Sequence, residues 1–302
     1  MDKDVSYYLG IDGGGTKTEF ALADGGGKIL SRVILGASNP NDVGFDETKR
    51  LLTEGVSRLL GQIPLECVSV YAGLAGCSSA ENMPRINEFL STFGFGRYQN
   101  DNDAKNAVAA ALGREDGIMV IMGTGSIAYA QREGQLFRIG GYGYLFGDEG
   151  SGFALGRDAI LAALQQEDGS GKPTLLYDYV RELCGGQTVL SKIDLFYSEG
   201  KKEIARYAPL VFKGYQEGDA VAKEILLKNL GAIAGLIKGG AKKLEEKRIG
   251  VVLCGGLTAQ AEILLPLLME LTKDAGKDFS FSVCQRAPVY GALLLAGMPY
   301  AE

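Results

Sequence analysis

Short apolar runs rich in β-forming residues recur along the chain, and two of them begin its two halves. The runs at 7–11 and 118–122 each predict a buried strand, because short continuous apolar segments followed by glycine are typical of strands. Behind each run come an alternating segment, a polar turn and a further strand. The pattern therefore predicts a three-stranded meander at the start of both halves.

Behind each meander, segments whose apolar residues recur with helical spacing alternate with further strands. This order of elements predicts an α/β fold. These elements are helices at 45–60, 83–93 and 104–112, a helical insertion at 151–244, and strands at 68–74, near residue 98, at 250–254 and at 279–283. A polar, glycine-bounded break at 113–117 predicts a boundary between an N-terminal domain, 1–114, and a C-terminal domain, 115–302. The last helix is expected to pack back on the N-terminal domain.

Glycine-rich turns join the first two strands of each meander. The residues concerned are Gly13, Gly14, Gly15, Thr16, Lys17 and Thr18 in the first half, and Gly123, Thr124, Gly125 and Ser126 in the second. Glycines let successive backbone N–H groups approach an anion, and the hydroxyls add donors. Neither turn has the spacing of a P-loop or of a dinucleotide fingerprint. The alternative is that both turns are tight hairpins in which glycine only permits the turn conformation. The occurrence of two similar turns at corresponding places in the two halves favours two phosphate-binding loops.

Composition narrows the chemistry. The chain has 302 residues, 46% of them hydrophobic, which suffices for two domains. It has no histidine, so catalysis must rest on carboxylates, hydroxyls, Lys, Arg or Mg²⁺. The net charge of −6 argues against a nucleic-acid surface. Since no apolar run approaches the roughly 20 residues that cross a bilayer, we expect a cytoplasmic protein without a membrane partner.

Six motifs follow one another along the chain: Ile11–Thr18, Ala37–Asn39, Asp103–Ala104, Gly123–Ser126, Gly140–Gly143 and Gly147–Ser151. Their order resembles that of N-acetylglucosamine kinases, and the later segment Cys254–Leu257 resembles the adenosine-binding turn of the same family. Together they resemble the BadF/BadG/BcrA/BcrD ATPase family, and specifically its amino-sugar kinase branch, within the actin-like superfamily of sugar kinases and Hsp70. The resemblance implies two actin-like, ribonuclease H-like domains, with ATP and Mg²⁺ as cofactors.

The resemblance also implies roles for three carboxylates. Asp103, expected to cap the helix that starts at Ala104, would be the general base that accepts the proton of the sugar's 6-hydroxyl. Its alternative role is the helix cap alone, and Asp101 lies two positions away. Asp12, beside the first loop, would hold hydrated Mg²⁺, unless it only satisfies hairpin amides. Asp148 would bind sugar hydroxyls, with a helix cap as the alternative.

Further ligand contacts follow from the same motifs. The implied sugar-binding residues are Asn39, Thr124, Gly141, Tyr142 and Gly143, and the implied adenosine-binding residues are Gly255 and Gly256. The alternative role for Tyr142 is packing. The alternative for Gly255 and Gly256 is a purely structural turn that leads into a helix starting at Thr258. The animal enzymes carry a tryptophan after the sugar-contacting Asn and another at position 142, where this chain has Pro40-Asn41-Asp42 and a tyrosine.

The implied activity is ATP-dependent phosphorylation of the 6-hydroxyl of N-acetylglucosamine or a related amino sugar, such as glucosamine or N-acetylmuramate, by a homodimer. The alternative is an ATPase activator of a reductase or dehydratase, with an iron–sulfur cluster bridging a dimer. Five dispersed cysteines without a C-x-x-C pair weaken that alternative. A sugar sensor without turnover is a third reading, which the retained Asp12 and Asp103 disfavour.

Overall fold

Ten strands form within the described part of the chain. The computed structural model describes residues 5–77, 79 and 81–300. The strands are β1 (Tyr7–Gly13), β2 (Thr18–Asp24), β3 (Ile29–Leu35), β4 (Val68–Leu74), β5 (Arg97–Asp101), β6 (Gly117–Met122), β7 (Ser126–Arg132), β8 (Gln135–Gly140), β9 (Arg248–Cys254) and β10 (Asp278–Val283). Each strand predicted from the sequence is present, with ends that differ by one or two residues.

Two five-stranded sheets are built from these strands, in the orders β3-β2-β1-β4-β5 and β10-β9-β6-β7-β8. In the first sheet, β1 to β3 form an antiparallel meander, while β4 and β5 run parallel to β1. The second sheet repeats this plan, with β6 to β8 as the meander and β9 and β10 parallel to β6. The repeat predicted from the two apolar runs is therefore confirmed.

Eleven α-helices lie in the same described residues. They are α1 (Pro40–Val43), α2 (Phe45–Leu60), α3 (Asn82–Ser91), α4 (Asp103–Leu112), α5 (Gly152–Asp168), α6 (Leu175–Leu183), α7 (Ile193–Ala205), α8 (Ala208–Gln216), α9 (Ala220–Ala241), α10 (Ala261–Thr272) and α11 (Pro288–Leu295). The predicted insertion resolves into α5 to α9. None of the described helices is long and apolar enough to span a membrane.

The chain divides into two units, Met1–Arg114 together with Gln285–Glu302, and Glu115–Cys284. The first unit contains the β1 sheet, α1 to α4 and α11. Its core includes Leu9 and Ile11 of β1, Phe20 of β2 and Leu52 of α2. Burying each of these side chains contributes about 1.5–3 kcal/mol. The ring of Phe20 packs directly on α2, since a Cβ at Gly55 would lie 2.3 Å from it, so this core holds the β1–β2 hairpin against α2.

Close packing fixes α11 and α4 against β1 within the first unit. A Cβ at Gly10 of β1 would lie 2.7 Å from the backbone nitrogen of Leu293, and one at Gly291 would lie 1.9 Å from the carbonyl oxygen of Asn106. Both positions therefore require glycine, because any side chain would displace a helix backbone.

The second unit is built around the β6 sheet, with α9 against β6 to β8, α10 against β10, and α5 packed on α9. Its core includes Val120 and Met122 of β6, Leu155 of α5 and Ile233 of α9, all fully buried. The helix α5 begins directly behind the second glycine turn, so the core also determines where that turn lies.

Candidate active site

The first glycine turn, loop 1, joins β1 and β2 as a hairpin. The N–H of Gly14 donates to the carbonyl of Lys17 at 2.9 Å, which closes the turn. Thr18 is fully buried, and its hydroxyl donates to the carbonyl of Gly36 at 2.8 Å, so this hydroxyl serves the fold. Gly15, Thr16 and Lys17 are exposed. Loop 1 therefore presents its tip, rather than Thr18, to a ligand.

Asp12 lies at the end of β1, half-buried beside loop 1. Its Oδ1 accepts a hydrogen bond from Nδ2 of Asn106 at 2.8 Å. Burial raises the pKa of Asp12 to about 6; the Asn106 hydrogen bond opposes this shift, and the negative charges of Asp103 and Glu19 reinforce it. Burial and nearby negative charge make it costly to ionise a carboxylate, and a divalent cation beside the carboxylate offsets that cost. The site therefore fits Mg²⁺, which takes one or two carboxylates and keeps several waters.

Asp103 is the first residue of α4, so the prediction that it caps a helix starting at Ala104 is wrong. The cap is Asn102, whose Oδ1 accepts from the N–H of Ala104 at 2.8 Å. Burial raises the pKa of Asp103, although the nearby N–H groups of Ala104 and Asp103 oppose the shift. A carboxylate with a raised pKa is a better proton acceptor near neutral pH.

Asp101, the neighbouring carboxylate at the end of β5, is held in a different way. Its Oδ2 lies 2.5 Å from Nζ of Lys105, and its Oδ1 accepts from the N–H of Asn102 at 2.7 Å. The ion pair neutralises Asp101 locally. No ion pair of Asp103 occurs among the residues that the structure describes, which favours Asp103 as the base.

Asn106, one helical turn after Asp103, is a site residue that the sequence analysis missed. It is 0% exposed, and its Nδ2 lies within 3.2 Å of Oδ1 of Asp12 and of the carbonyls of Ile11 and Gly73. Its Oδ1 is buried without a hydrogen-bond partner, which costs about 1–3 kcal/mol. The only sequence signal was a polar residue inside the apolar face of α4.

Asn39 lies in a cluster of polar side chains before α2. It caps α1: its Oδ1 accepts from the N–H of Asn41 at 3.1 Å, and its Nδ2 donates to Asp42 at 2.6 Å. Asn82 donates to Asn41 at 3.0 Å and to the carbonyl of Gly76 at 3.1 Å. The residues that replace the tryptophan of the animal enzymes thus orient Asn39.

The second glycine turn, loop 2, joins β6 and β7. The N–H of Gly123 donates to the carbonyl of Gly125 at 3.0 Å, and the N–H of Gly152 at the start of α5 donates to the carbonyl of Gly123 at 2.7 Å. The buried hydroxyl of Ser126 donates to the carbonyl of Glu149 at 2.7 Å. The side chain of Thr124 is exposed. Loop 2 is therefore fixed to α5, with Thr124 available to a ligand.

Asp148 is only 7% exposed and has a φ of 65°. Its Oδ1 accepts from the N–H of Ser126 at 3.2 Å, and its Oδ2 lies 2.8 Å from Nζ of Lys201. The cap of α5 is Ser151, whose hydroxyl accepts from the N–H of Ala154 at 3.2 Å. Asp148 is thus not a helix cap, and its left-handed backbone is the kind of strain that clusters at functional sites. The sequence analysis missed Lys201.

The glycine-rich segment after β8 borders a cavity of about 140 Å³ next to Asp148. Gly141 and Tyr142 line it, and Gly143 follows with a φ of 80°. Tyr142 is 69% exposed, so packing between the hairpin and a helix does not explain it. The structure therefore brings Gly141, Tyr142 and Asp148 together.

The turn at Gly255 follows β9 and packs on loop 2. A Cβ at Gly255, whose φ is 96°, would lie 2.6 Å from the carbonyl oxygen of Met122. Gly256 has open space around it. The expected helix start at Thr258 is wrong, because a 3₁₀ turn over Gly256–Gln260 precedes α10. Gly255 therefore has a packing role, and Gly256 leaves room for a ligand.

None of the five cysteines forms a disulfide. Cys254 and Cys284 follow the paired residues Leu253 and Val283 at the ends of two neighbouring parallel strands. A hydrogen bond with Cys284, together with burial, raises the pKa of Cys254. Across residues 5–77, 79 and 81–300, no group of three or more Cys, Asp or Glu side chains is arranged to hold a metal.

Comparisons with known proteins agree with this architecture. The model of the BadF/BadG/BcrA/BcrD ATPase family matches residues 9–296. The chain is 35% identical to an N-acetylmuramic acid/N-acetylglucosamine kinase of Clostridium acetobutylicum, over 84% of this chain and 86% of the relative. It is 29% identical to an N-acetyl-D-glucosamine kinase of Dictyostelium discoideum, over 98% of both chains.

A solved structure from Chromobacterium violaceum, provisionally assigned as an N-acetylglucosamine kinase, superposes with a TM-score of 0.70 at 28% identity and covers 97% of this chain and 99% of that one. The predicted two-domain α/β fold is thereby confirmed. This chain belongs to the BadF/BadG/BcrA/BcrD ATPase family.

Proposed function

We propose that the protein transfers the γ-phosphoryl group of ATP to the 6-hydroxyl of N-acetylglucosamine or a related amino sugar, such as glucosamine or N-acetylmuramate. The names of its relatives support an amino-sugar substrate. The observation that carries the proposal is the placement of Asp12 near the end of β1 and of Asp103 at the start of α4 in one unit, where Nδ2 of Asn106 links α4 to Asp12 at 2.8 Å. Asp12 fits a cation, and Asp103 fits a base.

Asp103 is the proposed general base. It accepts the proton of the 6-hydroxyl as the sugar oxygen bonds to the γ-phosphorus and the bond to the β,γ-bridging oxygen breaks, which releases ADP. Phosphoryl transfer passes through a loose transition state, so positioning and charge stabilisation contribute most of the catalysis. Asp101 is engaged in an ion pair with Lys105 at 2.5 Å, which leaves Asp103 as the proposed base.

Asp12 is the proposed magnesium ligand. Held by Asp12, a Mg²⁺ ion would supply positive charge that offsets the negative charge of the ATP phosphates. The raised pKa of Asp12 supports this role, since a cation beside it relieves the penalty of burying its charge.

Phosphate binding is assigned to the glycine turns. Gly13, Gly14, Gly15, Thr16 and Lys17 in loop 1, and Gly123, Thr124 and Gly125 in loop 2, would supply backbone N–H groups, hydroxyls and one ammonium. Gly256 would lie against adenosine, since its surroundings are open. Thr18, Ser126 and Gly255 support these turns through their own contacts in the fold.

The residues proposed to bind the sugar are Asn39, Thr124, Gly141, Tyr142, Gly143 and Asp148. Nζ of Lys201 lies 2.8 Å from Oδ2 of Asp148 and holds the carboxylate in place, where it would accept hydrogen bonds from sugar hydroxyls. The proposed location is the cytoplasm, where ATP is supplied, and the proposed assembly is a homodimer.

The relatives are sugar kinases by name, which favours a kinase over the electron-transfer ATPase. ADP release from Mg·ATP, measured with N-acetylglucosamine, glucosamine, N-acetylmuramate, N-acetylmannosamine or glucose and without sugar, tests the proposal. We expect turnover with at least one amino sugar and little without sugar. Equal turnover with and without every sugar would contradict the kinase and support an ATPase.

A further inference from the structure

We infer that Asn106 is a positioning residue that fixes the Asp12 carboxylate relative to α4, the helix that carries Asp103. This inference rests on the proposed kinase function and on the role of Asp12 toward Mg²⁺. It assigns to one buried amide the task of holding the metal ligand and the base at a constant separation.

The contacts of the amide nitrogen carry the inference. Nδ2 of Asn106 donates to Oδ1 of Asp12 at 2.8 Å and lies 3.1 Å from the carbonyl of Ile11 and 3.2 Å from that of Gly73. These acceptors belong to β1, the central strand of the sheet, and to its neighbour β4. A single NH₂ group thus ties α4 to β1 at Asp12, and because it bonds to Oδ1, Oδ2 would be the oxygen that holds a hydrated cation.

The helix geometry links the amide to the base. Residues three apart on an α-helix lie on the same face, so Asp103 and Asn106 both project from α4 toward the end of β1. A Cβ at Gly73 would lie 2.2 Å from Oδ1 of Asn106, so the strand backbone approaches the amide closely. On the other side, Gly291 of α11 packs against the Asn106 backbone. The side chain is therefore clamped between two elements.

The orientation of the Asn106 side-chain amide indicates that this residue positions Asp12 and does not merely fill space. All three acceptors face Nδ2, while Oδ1 is buried without a partner. A residue selected only to fill this space would not leave a buried acceptor unpaired, since an apolar side chain of the same size has none. The amide supplies a donor to Asp12, which an apolar side chain of the same size could not do.

Nucleotide binding gives a readout that does not depend on turnover. The probe is AMPPNP, a non-hydrolysable ATP analogue, titrated calorimetrically with and without Mg²⁺. The variants are Asn106→Leu, which keeps the volume, and Asn106→Ser, which keeps a small polar side chain if the first variant folds poorly. We expect the Mg²⁺-dependent gain in affinity to fall about tenfold, or about 1.4 kcal/mol, with metal-free affinity unchanged.

Asn229→Leu is the matched control. Asn229 is 2% exposed and donates from α9 to Oδ2 of Asp158 at 3.1 Å and to the carbonyl of Ile225 at 3.0 Å. It is thus a buried helical amide bonded to a different carboxylate. We expect this variant to lose stability and to keep the Mg²⁺-dependent gain.

Steady-state kinetics adds a second readout. The Asn106 variants should lose kcat and require more Mg²⁺, while the KM for the sugar changes less than twofold. A folded Asn106 variant with the wild-type Mg²⁺ gain would overturn the inference and leave the kinase proposal intact. If the wild-type protein gained no affinity from Mg²⁺, both the inference and the metal role of Asp12 would fail.

Discussion

Nζ of Lys201 lies 2.8 Å from Oδ2 of Asp148, so the helical insertion supplies the counter-charge of a carboxylate that is almost fully buried. Asp148 reaches this position through a left-handed backbone, with a φ of 65°. The insertion therefore contributes directly to the proposed sugar site.

Replacing Lys201 by methionine tests this relationship. Lys201→Met leaves Asp148 buried without its cation, so we expect the free energy of unfolding to fall by about 1–3 kcal/mol and the KM for the sugar to rise several-fold. Chemical denaturation and steady-state kinetics measure the two effects. Lys202→Met, at the exposed neighbouring position, is the control, and an equal effect of both variants would show that the ion pair is unimportant.

Asp103→Asn tests the proposed base. The amide cannot accept the hydroxyl proton, so we expect turnover to fall at least about 10²-fold, within the range typical of general bases, while ATP affinity stays near wild type. Asp101→Asn is the matched control, because it removes a neighbouring carboxylate that is already paired with Lys105. Near-normal turnover of the Asp103 variant would assign the proton transfer to another group.

Asn39→Ala separates sugar binding from helix capping. We expect the KM for the sugar to rise much more than that for ATP. Loss of the α1 cap should also cost about 1 kcal/mol of stability. Equal increases in both KM values would mean that Asn39 serves the fold alone.

The pH dependence of stability has a specific source in Asp158. Burial alone would raise the pKa of this carboxyl, but hydrogen bonds from Arg157, Lys228 and Asn229 outweigh burial and lower it. A lowered pKa stabilises the fold above the unfolded-state value of about 3.9, and this contribution is lost as the pH falls through the folded-state pKa. We therefore expect the Asp158→Asn variant to lose less stability than the wild type as the pH falls below about 4, as measured by denaturant unfolding. An equal loss in the variant and the wild type would contradict this role of Asp158.

Local patterns explain most of what the sequence predicted correctly. The predicted helix at 45–60 coincides with α2 because its apolar positions recur with helical spacing and glycines flank both ends. The glycine turns likewise follow from short-range backbone requirements. The repeat of two meanders made the two-unit plan visible before any contact was known.

Long-range contacts explain what the sequence could not provide. Asn106 meets Asp12, and Lys201 meets Asp148, across many residues of intervening chain, so no local pattern links them. The same applies to Cys254 and Cys284, which strand pairing brings together. The cap of α4 shifted from Asp103 to Asn102 because both residue types cap helices well, and only the backbone geometry decides between them.

The most direct test of the central claim is the identity of the product. ³¹P and ¹H NMR of the product formed from Mg·ATP and N-acetylglucosamine, or the preferred amino sugar, would locate the new phosphate, with Asp103→Asn as the blank. We predict a phosphate on the oxygen at C6 of the sugar, and none with the variant. Phosphate on another hydroxyl, or free phosphate without a phosphorylated sugar, would contradict the account.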